Sequence, residues 1–113
     1  MAVDDMLAER VRMVFRNKRV RYEEKKMFGG LCFMVKDKMC AGIVKDELMV
    51  RIDPEIYDKA LMKKGCREMD FSGHPMKGFV FVDRLGTDTD KSLKDWIQHA
   101  IDYNSKAKSS KKK

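Results

Sequence analysis

The stretch Leu31-Cys32-Phe33-Met34-Val35-Lys36-Asp37-Lys38-Met39-Cys40-Ala41-Gly42-Ile43-Val44-Lys45-Asp46-Glu47-Leu48-Met49-Val50-Arg51-Ile52 decides the fold. Its apolar runs are each only five or six residues long and are separated by short charged breaks. Runs of that length, rich in β-branched and aromatic residues, suit strands and are too short for stable helices. Asp37-Lys38 and Lys45-Asp46 read as turns, which places strands over 31–35, 39–44 and 48–52. Connections this short join only antiparallel neighbours, because a parallel crossover needs a dozen or more residues.

Upstream, Val20-Arg21-Tyr22-Glu23 opens a further β-rich stretch running to Met27-Phe28, and Gly29-Gly30 supplies a tight hairpin turn, since the favoured two-residue turns need positive φ. The result is a four-stranded meander. Before it, Asp4 or Asp5 caps a helix ending near Asn17, in which Leu7, Val11, Val14 and Phe15 form one apolar stripe. After it, Asp53-Pro54-Glu55 starts a second helix with an apolar face of Ile56, Tyr57, Ala60 and Leu61. Lys63-Lys64-Gly65 closes that helix with cations and a left-handed glycine cap. Residues 66–71 and 78–82 read as two more strands around the loop Ser72-Gly73-His74-Pro75, and Gly86-Thr87-Asp88 breaks the chain before a third helix. There Leu93, Trp96, Ile97, Ala100 and Ile101 give the clearest helical period in the sequence. The order α-β4-α-β2-α predicts an α+β fold, an antiparallel sheet with flanking helices.

A length of 113 residues fits one domain, read as 1–104, with 105–113 as a disordered basic tail. Lys106, Lys108, Lys111, Lys112 and Lys113 fall in the last eight residues, and removing those five from the formal net charge of +7 leaves +2. Nucleic-acid contact is therefore expected mainly through those lysines, weak, sequence-independent and sensitive to salt. No window has the apolar length of a membrane span, and acidic residues follow Met1 where a signal peptide would be basic. No membrane partner and a cytoplasmic location are expected.

The sequence offers little organised chemistry. Cys32, Cys40 and Cys66 form no CxxC pair, and His74 and His99 have no His or Cys neighbour at metal-ligand spacing. With Asp37-Lys38 as the turn, Cys40 would lie opposite Val35 and Cys32 opposite Ile43, leaving the thiols out of register. No metal, no cofactor and no catalytic residue is expected. Two residues stand out as a candidate interaction surface. His74 sits beside a turn, where it can donate, accept or titrate near neutral pH. Arg51 alternates with Leu48, Val50 and Ile52 and should project from the opposite side of its strand, near Lys25 or Lys26. Met34 and Met49 alternate onto that second face as well, which would suit a helix or a partner subunit packed there.

The string Lys26-Met27-Phe28-Gly29-Gly30, followed by Phe33, Met39-Cys40-Ala41, Leu48-Met49-Val50-Arg51-Ile52-Asp53 and Phe79-Val80-Phe81-Val82, resembles the N-terminal domain of the TfoX/Sxy competence-regulator family. The likeness runs on through Leu93, Trp96 and Ala100 in the closing helix, leaving out the lysine tail. It implies a fold similar to the type III secretion chaperones, often paired as a homodimer, and a role in regulating transcription of DNA-uptake genes. The chain then reads as a stand-alone version without the C-terminal helical domain, a non-enzymatic regulatory or protein-interaction module whose partner is another protein or its own copy. The alternatives are a nucleic-acid-associated regulator using the basic tail, and a small ligand-binding protein or enzyme using the His74 loop.

Overall fold

A computed structural model of the chain describes residues 4–27, 30–71 and 74–106, with the backbone alone at 27, 69–71 and 74–77. The helix α1, Asp5–Asn17, begins where the Asp4 carboxylate accepts from the Met6 and Leu7 amides at 3.0 and 3.1 Å. It buries Leu7, Ala8, Val11 and Phe15. The strands β1 (Glu23–Met27), β2 (Gly30–Val35), β3 (Lys38–Val44) and β4 (Glu47–Arg51) follow as a meander. A 3-10 turn, Pro54–Ile56, leads into a short helix α2, Tyr57–Leu61. The strands β5 (Cys66–Phe71) and β6 (His74–Val82), a one-turn helix α3 (Arg84–Thr87) and the long helix α4 (Asp90–Asn104) complete the chain. All six strands lie in one sheet, order β1-β2-β3-β4-β6-β5, with every pairing antiparallel.

The α+β class and the antiparallel sheet are as the sequence predicts, and several boundaries are corrected. The second helix is shorter than expected: Asp53 caps the 3-10 turn, accepting from the Glu55 amide at 2.9 Å, and α2 itself runs only from Tyr57 to Leu61. Gly65 adopts the left-handed φ of +81° four residues later. Gly86-Thr87 does not break the chain but lies in α3, whose start is capped by Asp83 accepting from the Leu85 amide at 2.9 Å. Tyr22 precedes β1 rather than opening it; its ring stacks on Phe15 (5.2 Å) and meets Phe33 at a tilt (5.7 Å).

The β2–β3 connection is moved by one residue. Lys36 and Asp37 carry φ of +54° and +65°, so they form the turn that needs two left-handed residues, and Val35 pairs with Lys38. The register then shifts: Met34 faces Met39 whereas Phe33 faces Ala41, leaving Cys40 as the extra residue of a β-bulge. The bulge sends Cys40 and Ala41 into the same apolar cluster and keeps Met39 on the other side. Cys32 lies opposite Gly42, not Ile43. The two thiols are apart for a stronger reason than register, since they occupy opposite faces of the sheet.

Side chains in register point the same way, so the ladder defines two faces. One carries Phe33, Ala41, Val50 and Val80, with Ile43, Leu48 and Val82, and packs against Leu7, Val11 and Phe15 of α1, Tyr57 and Ala60 of α2, and Leu93, Trp96, Ile97 and Ala100 of α4. The other carries Cys32, Met34, Met39, Met49 and Phe81, joined by Val44 and Phe79. Among the described residues no helix contributes to this second cluster.

Candidate interaction surface

The second face carries the candidate surface, and its chemistry follows from register. β4 pairs with β6, so Arg51 lies opposite Phe79 and Met49 opposite Phe81; β5 pairs with the far edge of β6, so Arg67 also lies opposite Phe81. Both arginines lie over their aromatic partners, Arg51 with its guanidinium carbon 5.3 Å from the Phe79 ring centre and Arg67 4.8 Å from that of Phe81. A guanidinium stacked this way gains a cation–π attraction of about 0.5–1 kcal/mol while its N–H edge stays able to donate. The Arg67 edge bonds the Glu47 carboxylate. Arg51 lies in addition 6.0 Å from the ring of Tyr103 at the end of α4. The face therefore presents two arginine–phenylalanine pairs above a buried floor of sulfur side chains.

Of the residues singled out in sequence, Arg51 occupies this face as expected, but not beside Lys25 or Lys26. β1 and β4 are separated by β2 and β3. His74 is not a loop residue: its backbone pairs with Phe71 at the start of β6, while its side chain, and Ser72 and Gly73, lie outside the described residues. In the hairpin motif, Lys26 is exposed on β1, Met27 pairs with Gly30, and Phe28 and Gly29 lie outside the described residues. Gly30 belongs to β2 rather than to the turn. It is buried, and a Cβ there would run into the Ile43 carbonyl. Lys106 ion-pairs with Asp53 at 3.7 Å, and Lys108, Lys111, Lys112 and Lys113 lie outside the described residues.

Sequence reasoning passed over Arg67, Phe79, Lys38 and Asn104. The first two become neighbours of the site only through β6, which inserts between β4 and β5, and no local pattern encodes that insertion. Asn104 is 5% exposed and donates to the Val35 carbonyl at 3.2 Å, while Lys38 donates to the Asn104 carbonyl at 3.1 Å. These bonds tie the end of α4 to the β2–β3 turn and so bring Tyr103 and Lys106 to the rim where Arg51 lies.

Among the described residues the three thiols are shifted by burial. Burial pushes the Cys32 and Cys66 thiols up to about 11 and Cys40 to about 12, away from the thiolate that a nucleophile requires. Among the described residues no three His, Cys, Asp or Glu side chains are placed to hold a metal ion, and no helix is long and apolar enough to cross a membrane.

An antiparallel sheet with helices on one face and arginine–aromatic pairs on the other defines a small α+β domain. A family model described as the TfoX N-terminal domain matches residues 17–103. That span runs from the end of α1 through β1 to all but the last residue of α4, and the chain belongs to this family. No curated protein matches the chain, and no solved structure does.

Proposed function

We propose that this domain is a non-enzymatic regulatory module that works by binding another protein, or a second copy of itself, through the helix-free face of its sheet, in the manner expected of the TfoX-type regulators. The observation that carries this reading is the pairing of Arg51 with Phe79 and Arg67 with Phe81 on one face. Arginine and aromatic residues are over-represented among interface hot spots, and a guanidinium already held over a ring loses less further freedom on binding. The test is affinity capture from native cytoplasm with wild-type bait and with the Arg51→Glu/Arg67→Glu bait. A partner that is lost with the double variant and kept when 107–113 are deleted supports the reading; one retained by both baits contradicts it. Light scattering of the purified chain decides whether the partner is its own copy.

A second reading, nucleic-acid association, is favoured by one observation. Lys38, Arg51 and Lys106 lie at the end of α4 from which the chain continues into Lys108, Lys111, Lys112 and Lys113. Under this reading, retention on duplex DNA falls steeply with salt and is abolished by deleting 107–113. Retention that ignores salt, or survives the deletion, removes it.

A further inference from the structure

β1 ends the sheet: only β2 pairs with it, and among the described residues no backbone hydrogen bond reaches it from elsewhere. An open strand edge offers its amides and carbonyls to another strand, and charged side chains on it commonly discourage that pairing. The order of charges on β1 does not make a uniform barrier. In Glu23-Glu24-Lys25-Lys26, register sets Glu23 and Lys25 opposite Met34 and Cys32, on the helix-free side, and Glu24 and Lys26 opposite Phe33 and Leu31, on the helix side. Each side of the edge thus carries one acid and one base, two residues apart. Glu23, Lys25 and Lys26 are exposed, and among the described residues only Glu24 of the four is ion-paired, to Arg12.

We propose that β1 pairs antiparallel with β1 of a second copy of this chain, about a two-fold axis that passes through Glu24 perpendicular to the sheet. Residues opposite each other across an antiparallel join project to the same side, so the join must centre on a residue and not between two. Centred on Glu24, Glu23 of each chain meets Lys25 of the other, which gives two opposite-charge pairs on the helix-free side. The two Glu24 carboxylates face each other on the helix side, each already held by Arg12 of its own chain at 2.7 and 3.0 Å. Centred on Lys25, two ammonium groups would meet, and neither has such a partner among the described residues. The edge lies at the opposite end of the sheet from β6 and β5, so it is a different surface from the Arg51 and Arg67 pairs. A perpendicular axis keeps both helix-free faces on one side of the joined sheet. The dimer then offers the binding face twice, which raises its avidity for a partner that repeats the matching element.

Sedimentation equilibrium of the purified full chain measures the dimer Kd, and a reversible dimer is expected. Lys25→Glu sets like charges opposite each other at both cross-strand sites and should weaken the dimer by at least about tenfold. Glu23→Lys should do the same, and the exchange Glu23→Lys/Lys25→Glu should restore it, which guards against misfolding of either single variant. Arg51→Glu/Arg67→Glu should leave the dimer unchanged. Under mild oxidation Glu24→Cys should link to its own copy, because opposed Cα atoms at about 4.5–5.5 Å are within disulfide reach; the wild type and Lys25→Cys should not. A chain that stays monomeric up to millimolar concentration, a dimer indifferent to Lys25→Glu or not restored by the exchange, or linkage from position 25 in place of 24 overturns the proposal. A dimer lost with Arg51→Glu/Arg67→Glu overturns it too, and assigns self-association to the helix-free face instead.

Discussion

Gly30 and Tyr57 show how single residues carry roles that their type alone does not announce. Gly30 reads in sequence as half of a glycine turn, yet the structure uses it as a strand residue lying against the Ile43 carbonyl. Gly30→Ala should therefore cost about 1–3 kcal/mol, the range for overpacking a filled site, measured by chemical denaturation. A neutral result would mean that the strands do not approach as closely as described. Tyr57 is 5% exposed, and its hydroxyl has no hydrogen-bond partner among the described residues. A buried polar group without a partner is a cost, so Tyr57→Phe should leave stability unchanged or raise it by up to about 1 kcal/mol. A loss larger than that would reveal a partner for the hydroxyl. Tyr57 was legible as a core position from its helical spacing; its unpaired hydroxyl was not, because satisfaction of a polar atom depends on neighbours from β5 and β6 that are distant in sequence.

Elements here are held by a few contacts that can be tested one at a time. Arg12 of α1 makes two hydrogen bonds to Glu24 of β1, at 2.7 and 3.0 Å, and these hold the Glu24 carboxyl below its ordinary value. A carboxyl depressed in the folded state stabilises the fold fully above its unfolded pKa and loses that contribution as pH falls through the folded one. Glu24→Gln should then cost about 1 kcal/mol or less at neutral pH, with the difference from wild type vanishing in acid. A difference that does not change with pH would contradict the pair. At the other end, Asn104→Ala removes the buried bond to Val35 and should cost about 1–3 kcal/mol, seen as earlier melting. No change would mean that the end of α4 is not tied down. The helices α1 and α4 were legible because long amphipathic periods depend on local residues alone. α2 reads too long in the sequence because Lys63 and Lys64 mimic a last helical turn, and α3 is not legible there because one turn has no period to detect.

At the scale of the molecule, the short loops of the meander made four antiparallel strands legible, and the placement of β6 between β4 and β5 was not. That placement matters, because it sets Phe79 and Phe81 beneath Arg51 and Arg67 and so makes one face of the sheet different from the other. The bulge at Cys40 completes the separation by keeping Met39 with Met34 and Cys40 with the helices. Family membership over 17–103 is consistent with this division, since the match takes in the whole sheet and leaves out most of α1. The central claim is that partners meet the helix-free face, and site-specific photo-crosslinking tests it most directly. A photoreactive residue at position 67, exposed on that face, is compared with one at position 94, exposed on α4. The account predicts a discrete crosslinked partner or dimer from position 67 and none from position 94; crosslinking from 94 with 67 silent would contradict it.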